Sequence, residues 1–430
     1  MYRVLALRVS LLPAPAASRI RLVATVALAA LAASGAPASA SEDGLAPALA
    51  RAMAPAGAWS GAYVVNADSG RPVFRWRHGS ARILASNTKL YTTAAALARF
   101  GTEGTLATEV RGAGELADTG VWRGDLYLVG GGDPTFGSSG FAQRAYGAQG
   151  ASVEALAEQL ERAGVRRVAG RVYGDESRFD ALRGGPESGY RTSIWVGPLS
   201  ALAFNRGLAA ESGTSFQATP AAFVAARLTD ALRRRGISVR DRPAAGPAPR
   251  AADTLAAVRS PPMSRLIALT NKPSDNYLAE MLLKDLALQA GGRGTTAAGA
   301  RIAAGFASRI GGRPARLADG SGLSRANRAS PYRIVRLLLA LRERDDYAAF
   351  LRSLAVAGRD GTLAPRMRRG PARGHCRGKT GTLSNVSALS GYCRARSGDT
   401  YVFSILMNGV DPYGARGLQD RMLQALAGVR

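Results

Sequence analysis

The sequence predicts an α/β domain assembled from both chain ends and interrupted by an inserted module, on three observations. Residues 59–66 and 72–77 are apolar, β-prone runs around Asp68-Ser69-Gly70, so they read as a hairpin; an Ala- and Leu-rich helix over 88–100 follows and stops at Gly101. From about 102 to 256 the texture changes to short strands and Gly-rich turns, with helices expected over 152–163 and 220–235 and a Pro/Ala linker over 242–252. Helical periodicity resumes over 263–268, 277–289 and 332–344, before strands at 378–383, 386–395 and 401–407 and a closing helix over 418–427.

Composition bounds the function. The 430 residues are 47% hydrophobic and 20% charged, an ordinary globular balance with room for two or three domains. A formal charge of +26 invites a nucleic-acid reading, but the basic residues are scattered among Ala, Gly and Leu, and no zinc-finger or RNA-binding signature appears. No nucleic-acid partner is expected. A structural zinc site would need all of His78, His375, Cys376 and Cys393 to converge, so no metal is expected either. With only two histidines, a serine enzyme here would draw its base from another residue type.

Residues 1–40 read as a signal peptide. Arg3, Arg8, Arg19 and Arg21 precede an apolar run over 22–33, and Ala38-Ser39-Ala40 supplies a small-residue cleavage pattern. Export to an extracytoplasmic compartment follows, with an uncleaved anchor as the alternative. An oxidising compartment lets thiols pair. If Ser384-Asn385 is a two-residue hairpin turn, Cys376 and Cys393 fall opposite each other within disulfide reach; two free buried thiols are the other reading.

Of the 57 basic residues only four are lysine: Lys89, Lys272, Lys284 and Lys379. Arginine stays protonated, whereas lysine can give up its proton when buried, so a surviving lysine is a candidate for acid-base work. Lys89 lies one helical turn after Ser86, close enough for its amine to serve as base to the hydroxyl. The bland alternative is a capping serine beside a solvated lysine. Ser274-Asp275-Asn276, before a helix, offers a hydroxyl to relay a proton and an amide to hold a substrate, or simply an N-cap. Lys379-Thr380-Gly381-Thr382 on a strand suits a carboxylate, with edge-strand placement as its alternative. Arg366, Arg368, Arg369, Arg373 and Arg377 lead into that strand with no acid between Asp360 and Asp399, either a positive approach for an anionic surface or a solvated loop.

Ser-x-x-Lys, Ser-Asp-Asn and Lys-Thr-Gly in this order form the set of penicillin-binding proteins and class A β-lactamases. The long interval from Ser86 to Ser274 leaves room for an inserted module, and no Glu-x-x-Leu-Asn segment is present; Glu280, the nearest candidate, is followed by Met281-Leu282-Leu283-Lys284. The chain therefore resembles the D-alanyl-D-alanine carboxypeptidase/endopeptidase family of class C penicillin-binding proteins, the S13 peptidases. Stretches 130–135, 319–325 and 356–363 look like that family too.

The resemblance implies a serine β-lactamase/transpeptidase-like α/β (α+β) domain, an antiparallel sheet packed with helices, built from 41–103 and 257–430, with a mixed α/β insert over 104–256. It implies that Ser86 attacks a terminal D-Ala-D-Ala bond of a peptidoglycan stem peptide and that Lys89 takes its proton. Ser274 would protonate the leaving nitrogen, Asn276 orient the acyl side, and Lys379 and Thr380 hold the terminal carboxylate. Gly381 allows close approach of the strand, and the N–H groups of Ser86 and Thr382 would form an oxyanion hole. β-Lactams would acylate Ser86, no cofactor is required, and the enzyme could sit peripherally at the membrane or cell-wall surface. A serine β-lactamase or esterase of this fold, or a catalytically silent cell-wall binding protein, are the alternatives.

Overall fold

The computed structural model describes residues 42–147, 150–311 and 315–430; the expected leader and its cleavage site lie outside them. Two sheets organise the chain. The first draws its strands from both chain ends, in the order Ala355–Val356, Cys376–Leu383, Val386–Arg394, Thr400–Asn408, Gly61–Asn66 and Pro72–Trp76, with every neighbouring pair antiparallel. Its three long central strands are buried almost throughout, as a sheet covered on both faces requires.

Alternation along these strands assigns each face. Tyr63, Val65, Val402 and Leu406 point into a core with the helices Thr88–Phe100, Met263–Asn271, Asn276–Gln289 and Pro331–Arg342. Ala62, Val64, Phe403 and Ile405 face the helices Glu42–Met53 and Pro412–Gly428. The expected helices are observed within a few residues, except that the closing one begins earlier, at Pro412; Glu42–Met53, Ser139–Tyr146, Thr296–Arg309 and Tyr347–Ser353 had no sequence expectation. Thr296–Arg309 is an Ala/Gly helix with little apolar contrast between its faces. Gly299 explains its composition: a Cβ there would stand 1.9 Å from the Leu283 carbonyl, so the close crossing of two helices needs glycine.

The second, seven-stranded sheet lies wholly within residues 107–259. It mixes antiparallel and parallel pairs and packs on the helices Val153–Arg162 and Pro220–Arg234. The expected linker over 242–252 is partly structural. Ala244–Ala245 pairs parallel with Val172–Asp175, and the Ala248 amide donates to Asp175 at 2.9 Å, because backbone polar groups next to a sheet edge find partners there. Phe179, Val196, Leu199 and Ala203 from this region pack on Tyr277, Leu278 and Met281, so the helix that follows Ser274 is buried on nearly every side.

The Cys376–Cys393 register is the one that the Ser384-Asn385 turn predicts. Leu383 faces Val386, Lys379 faces Ser390 and Cys376 faces Cys393, with a disulfide joining the last pair across 4.0 Å between Cα atoms. Asn385 takes φ +55°, a left-handed turn conformation that asparagine tolerates.

Candidate active site

Ser86 occupies a single 3-10 turn, Ala85–Asn87, that runs into the Thr88–Phe100 helix. The turn is squeezed from two sides. A Cβ on Gly322 would stand 1.9 Å from the Ala85 carbonyl, and one on Gly381 would stand 3.0 Å from the Ser86 amide nitrogen. Glycine at 381 thus lets the Cys376–Leu383 strand lie against the backbone of Ser86. Ala85, buried, takes φ +46°, a conformation disfavoured for a residue with a Cβ and held by these contacts.

Lys89 is fully buried. Its Nζ donates to Ser86 Oγ at 2.9 Å, to Asn276 Oδ1 at 2.7 Å and to the Ser321 carbonyl at 2.6 Å. Three partners are as many as an ammonium can serve, and none carries a formal charge. Burial lowers its pKa to about 8, against the opposing pull of Asp319, Asp275 and Glu280. A minor but substantial neutral fraction is therefore present near pH 7. The solvated-lysine alternative does not hold, nor does the capping serine: Asn87 stands at the helix N-cap position.

Ser274 also sits at positive φ, +66°, between two helices, and its Oγ accepts from Lys379 Nζ at 2.8 Å. Its neighbour Asp275 does the capping, accepting from the Leu278 amide at 2.9 Å and pairing with Arg206 of the inserted region at 2.8 Å. Asn276 is spoken for at both ends, Oδ1 by Lys89 and Nδ2 by the Trp195 carbonyl at 3.3 Å.

Lys379 lies on an interior strand and is fully buried, so it is no edge lysine. Besides Ser274 it donates to the Thr380 carbonyl at 2.9 Å, and burial together with the charge on Lys89 pulls its pKa well down. Its ammonium thus reaches Ser274 from beneath. A cavity of about 870 Å³ opens above these groups, lined by Ser86, Ser274, Asn276, Thr380, Thr382 and Arg416. Thr380 Oγ1 bonds Thr362 Oγ1 at 2.7 Å, and Arg416 Nη2 approaches Thr382 Oγ1 at 3.3 Å.

A family model described as D-Ala-D-Ala carboxypeptidase 3 (S13) matches residues 45–217 and 207–429. The chain belongs to the S13 family. A D-alanyl-D-alanine carboxypeptidase of Actinomadura sp. (strain R39) is 30% identical over 454 residues, covering 86% of this chain and 81% of that protein. The crystal structure of penicillin binding protein 4 (dacB) from Haemophilus influenzae superposes with a TM-score of 0.74 at 20% identity, covering 87% of this chain and 97% of that one. The same protein complexed with a β-lactam matches with a TM-score of 0.70 at 19% identity and the same coverage. As an S13 member this chain is a serine-type D-Ala-D-Ala carboxypeptidase/endopeptidase, a cell-wall hydrolase.

All eight motif residues converge on one cavity or its floor, but several contributors escaped sequence reasoning, among them Glu187 and Trp195 on the rim. Ser321 supplies a carbonyl to Lys89, and Thr362 and Arg416 line the cavity. The first two lie in stretches that already resembled the family, whereas nothing in the sequence distinguished Arg416 from the other arginines. Glu280 serves the Ser321 loop: its Oε1 accepts from the Gly320 and Ser321 amides at 3.0 and 2.7 Å. Burial and nearby Asp319 raise its pKa above the usual carboxylate range. Lys272 and Lys284 lie outside the cavity, paired with Asp360 and Asp180 respectively.

Proposed function

We propose that Ser86 is the nucleophile and neutral Lys89 its base, acting on the D-Ala-D-Ala end of a peptidoglycan stem peptide outside the cytoplasm. The observation that carries this is the fully buried Lys89 amine 2.9 Å from Ser86 Oγ. Ser86 Oγ bonds to the carbonyl carbon as its proton passes to Lys89, and the oxyanion meets the N–H groups of Ser86 and Thr382. The C–N bond then breaks while Ser274, hydrogen-bonded to Lys379, gives its proton to the leaving D-alanine nitrogen. Ser274 is reprotonated at the expense of the proton that Lys89 took from Ser86. Lys89, neutral again, then takes a proton from the attacking water and returns it to Ser86 Oγ as the ester bond breaks.

Carboxylate recognition is divided. Thr380 and Thr382 offer hydroxyls at the cavity wall, Arg416 adds a charge beside them, and the buried Lys379 amine donates to Ser274 from below. Asn276 orients the acyl side once substrate competes for its amide. The insert over 104–256 shapes one rim through Glu187 and Trp195.

The related structure complexed with a β-lactam supports β-lactam binding in this cleft. Export fits this substrate, with peripheral placement at the membrane or wall surface; no helix of the described residues is long and apolar enough to cross a membrane. Ser86→Ala should abolish both D-alanine release and labelling by a fluorescent penicillin. Persistent labelling would refute the assignment.

A further inference from the structure

We propose that an arginine-lined hollow at the disulfide end of the catalytic sheet docks phosphate headgroups of an anionic phospholipid surface. The hollow, about 390 Å³, is lined by Arg368, Arg369, Arg373, His375, Arg394 and Arg396, with no carboxylate in its wall. All six side chains belong to exposed residues. None of the five arginines forms an ion pair with a described carboxylate, whereas Arg366, just upstream, donates to Asp420 at 2.7 Å. The acid-free stretch from Asp360 to Asp399 explains why: no local counter-ion is encoded.

Five like charges in one concavity repel one another, and a loose loop would splay them apart. This one is fastened. Gln424 accepts from the Ala372 amide at 3.0 Å and donates to the Arg369 carbonyl at 2.7 Å; the Arg394 amide donates to the His375 carbonyl at 3.0 Å; and the Cys376–Cys393 bridge lies directly between the two strands. The closing helix ends here too. Its last carbonyls, at Ala427 and just beyond at Val429, accept the backbone amides of Arg396 and Ser397. A preorganised cluster of positive charge, with no side-chain acceptor for these arginines among the described residues, matches anionic phosphate oxygens.

Position favours a lipid source. Cys393 faces Tyr401, Tyr401 faces Asn66, and Asn66 bonds Glu42 at 3.4 Å. Glu42 follows the leader-like stretch in sequence, so the hollow shares its end of the sheet with the start of the described chain. Along the Cys376–Leu383 strand, about 20 Å separate Cys376 from Thr382. Docking at one end therefore leaves the cleft at the other open to stem peptides.

The test is co-sedimentation of the exported chain with phosphatidylglycerol-containing vesicles and with pure phosphatidylcholine vesicles. Arg368→Gln, Arg369→Gln and Arg394→Gln together should weaken binding to the anionic vesicles about a hundredfold, from the usual electrostatic contribution of each surface arginine. A control removing Arg166, Arg167 and Arg242 carries the same loss of charge on the inserted region and should change binding little. Equal loss in both variants would assign binding to net charge and overturn the proposal, as would full retention in the first. Inorganic phosphate bound by the wild-type chain that ignores anionic vesicles would also overturn the lipid assignment. Penicillin labelling should stay at the wild-type level in both variants, because neither set touches the cleft; lost labelling with retained vesicle binding would fault the catalytic reading alone. Should the Gln variant misfold, Arg368→Lys, Arg369→Lys and Arg394→Lys keep the charge and should retain most of the binding. Loss of binding by this folded Lys variant would overturn a headgroup site held by charge.

Discussion

The three buried lysines divide between two regions, and the division shows what a buried amine is for. In the cleft, Lys89 and Lys379 donate only to hydroxyl, amide and carbonyl oxygens. Where the inserted region meets the catalytic helices, Lys284 is as deeply buried but pairs with Asp180 at 2.6 Å, bonds the Leu182 carbonyl at 2.9 Å and lies over the Phe179 ring. Lys272 likewise has Asp360. A carboxylate partner only partly offsets the loss of hydration, for burial lowers the Lys284 pKa against the pull of Asp180; without such a partner, burial pushes the amine further toward its neutral form. The first arrangement fastens structure, and the second makes a base.

The comparison breaks most visibly at Lys89. Lys89→Arg keeps a cation that cannot deprotonate, so acylation by a fluorescent penicillin should fall by about a thousandfold or more while the fold persists by circular dichroism. Near-normal acylation would show that Lys89 is not the base. At the other region, Lys284→Ala leaves Asp180 without its partner and should cost about 3 kcal/mol of stability, read as a lower urea midpoint. Lys284→Met should recover much of that loss only if Asp180 is neutralised as well, as Asp180→Asn.

Smaller effects sharpen the cleft. Arg416→Ala should raise KM about tenfold for a peptide ending in a free carboxylate, with little effect on an amidated analogue that lacks the charge. Equal changes for both peptides would remove Arg416 from carboxylate recognition. The pH profile follows from the sign of the shift on Lys89. Burial lowers its pKa to about 8, so the neutral fraction grows as pH rises and the acylation rate should climb toward a plateau above about pH 8. A rate that is flat between pH 6 and about 9 would contradict a lysine base.

Legibility followed distance along the chain. Ser86 and Lys89 are three residues apart on one helical turn, so local geometry alone placed the amine near the hydroxyl. The strand register was equally local: one two-residue turn set every pair from Leu383–Val386 to Cys376–Cys393. The Thr296–Arg309 helix was invisible because its glycine is explained only by the Leu283 carbonyl of another helix. Arg416 was invisible because its neighbour Thr382 comes from a strand, not from its own helix.

By itself, the sequence determined which residue types were available for chemistry. An arginine-rich chain with two histidines leaves lysine as the plausible base, and three short motifs identify the family. Tertiary structure decided what each lysine does. Hydration loss and partner charge, which set an amine's proton affinity, arise from groups brought together across the fold: Asn276 and Ser321 around Lys89, Asp180 beside Lys284, and, among the described residues, no carboxylate paired with the five arginines at the far end of the sheet.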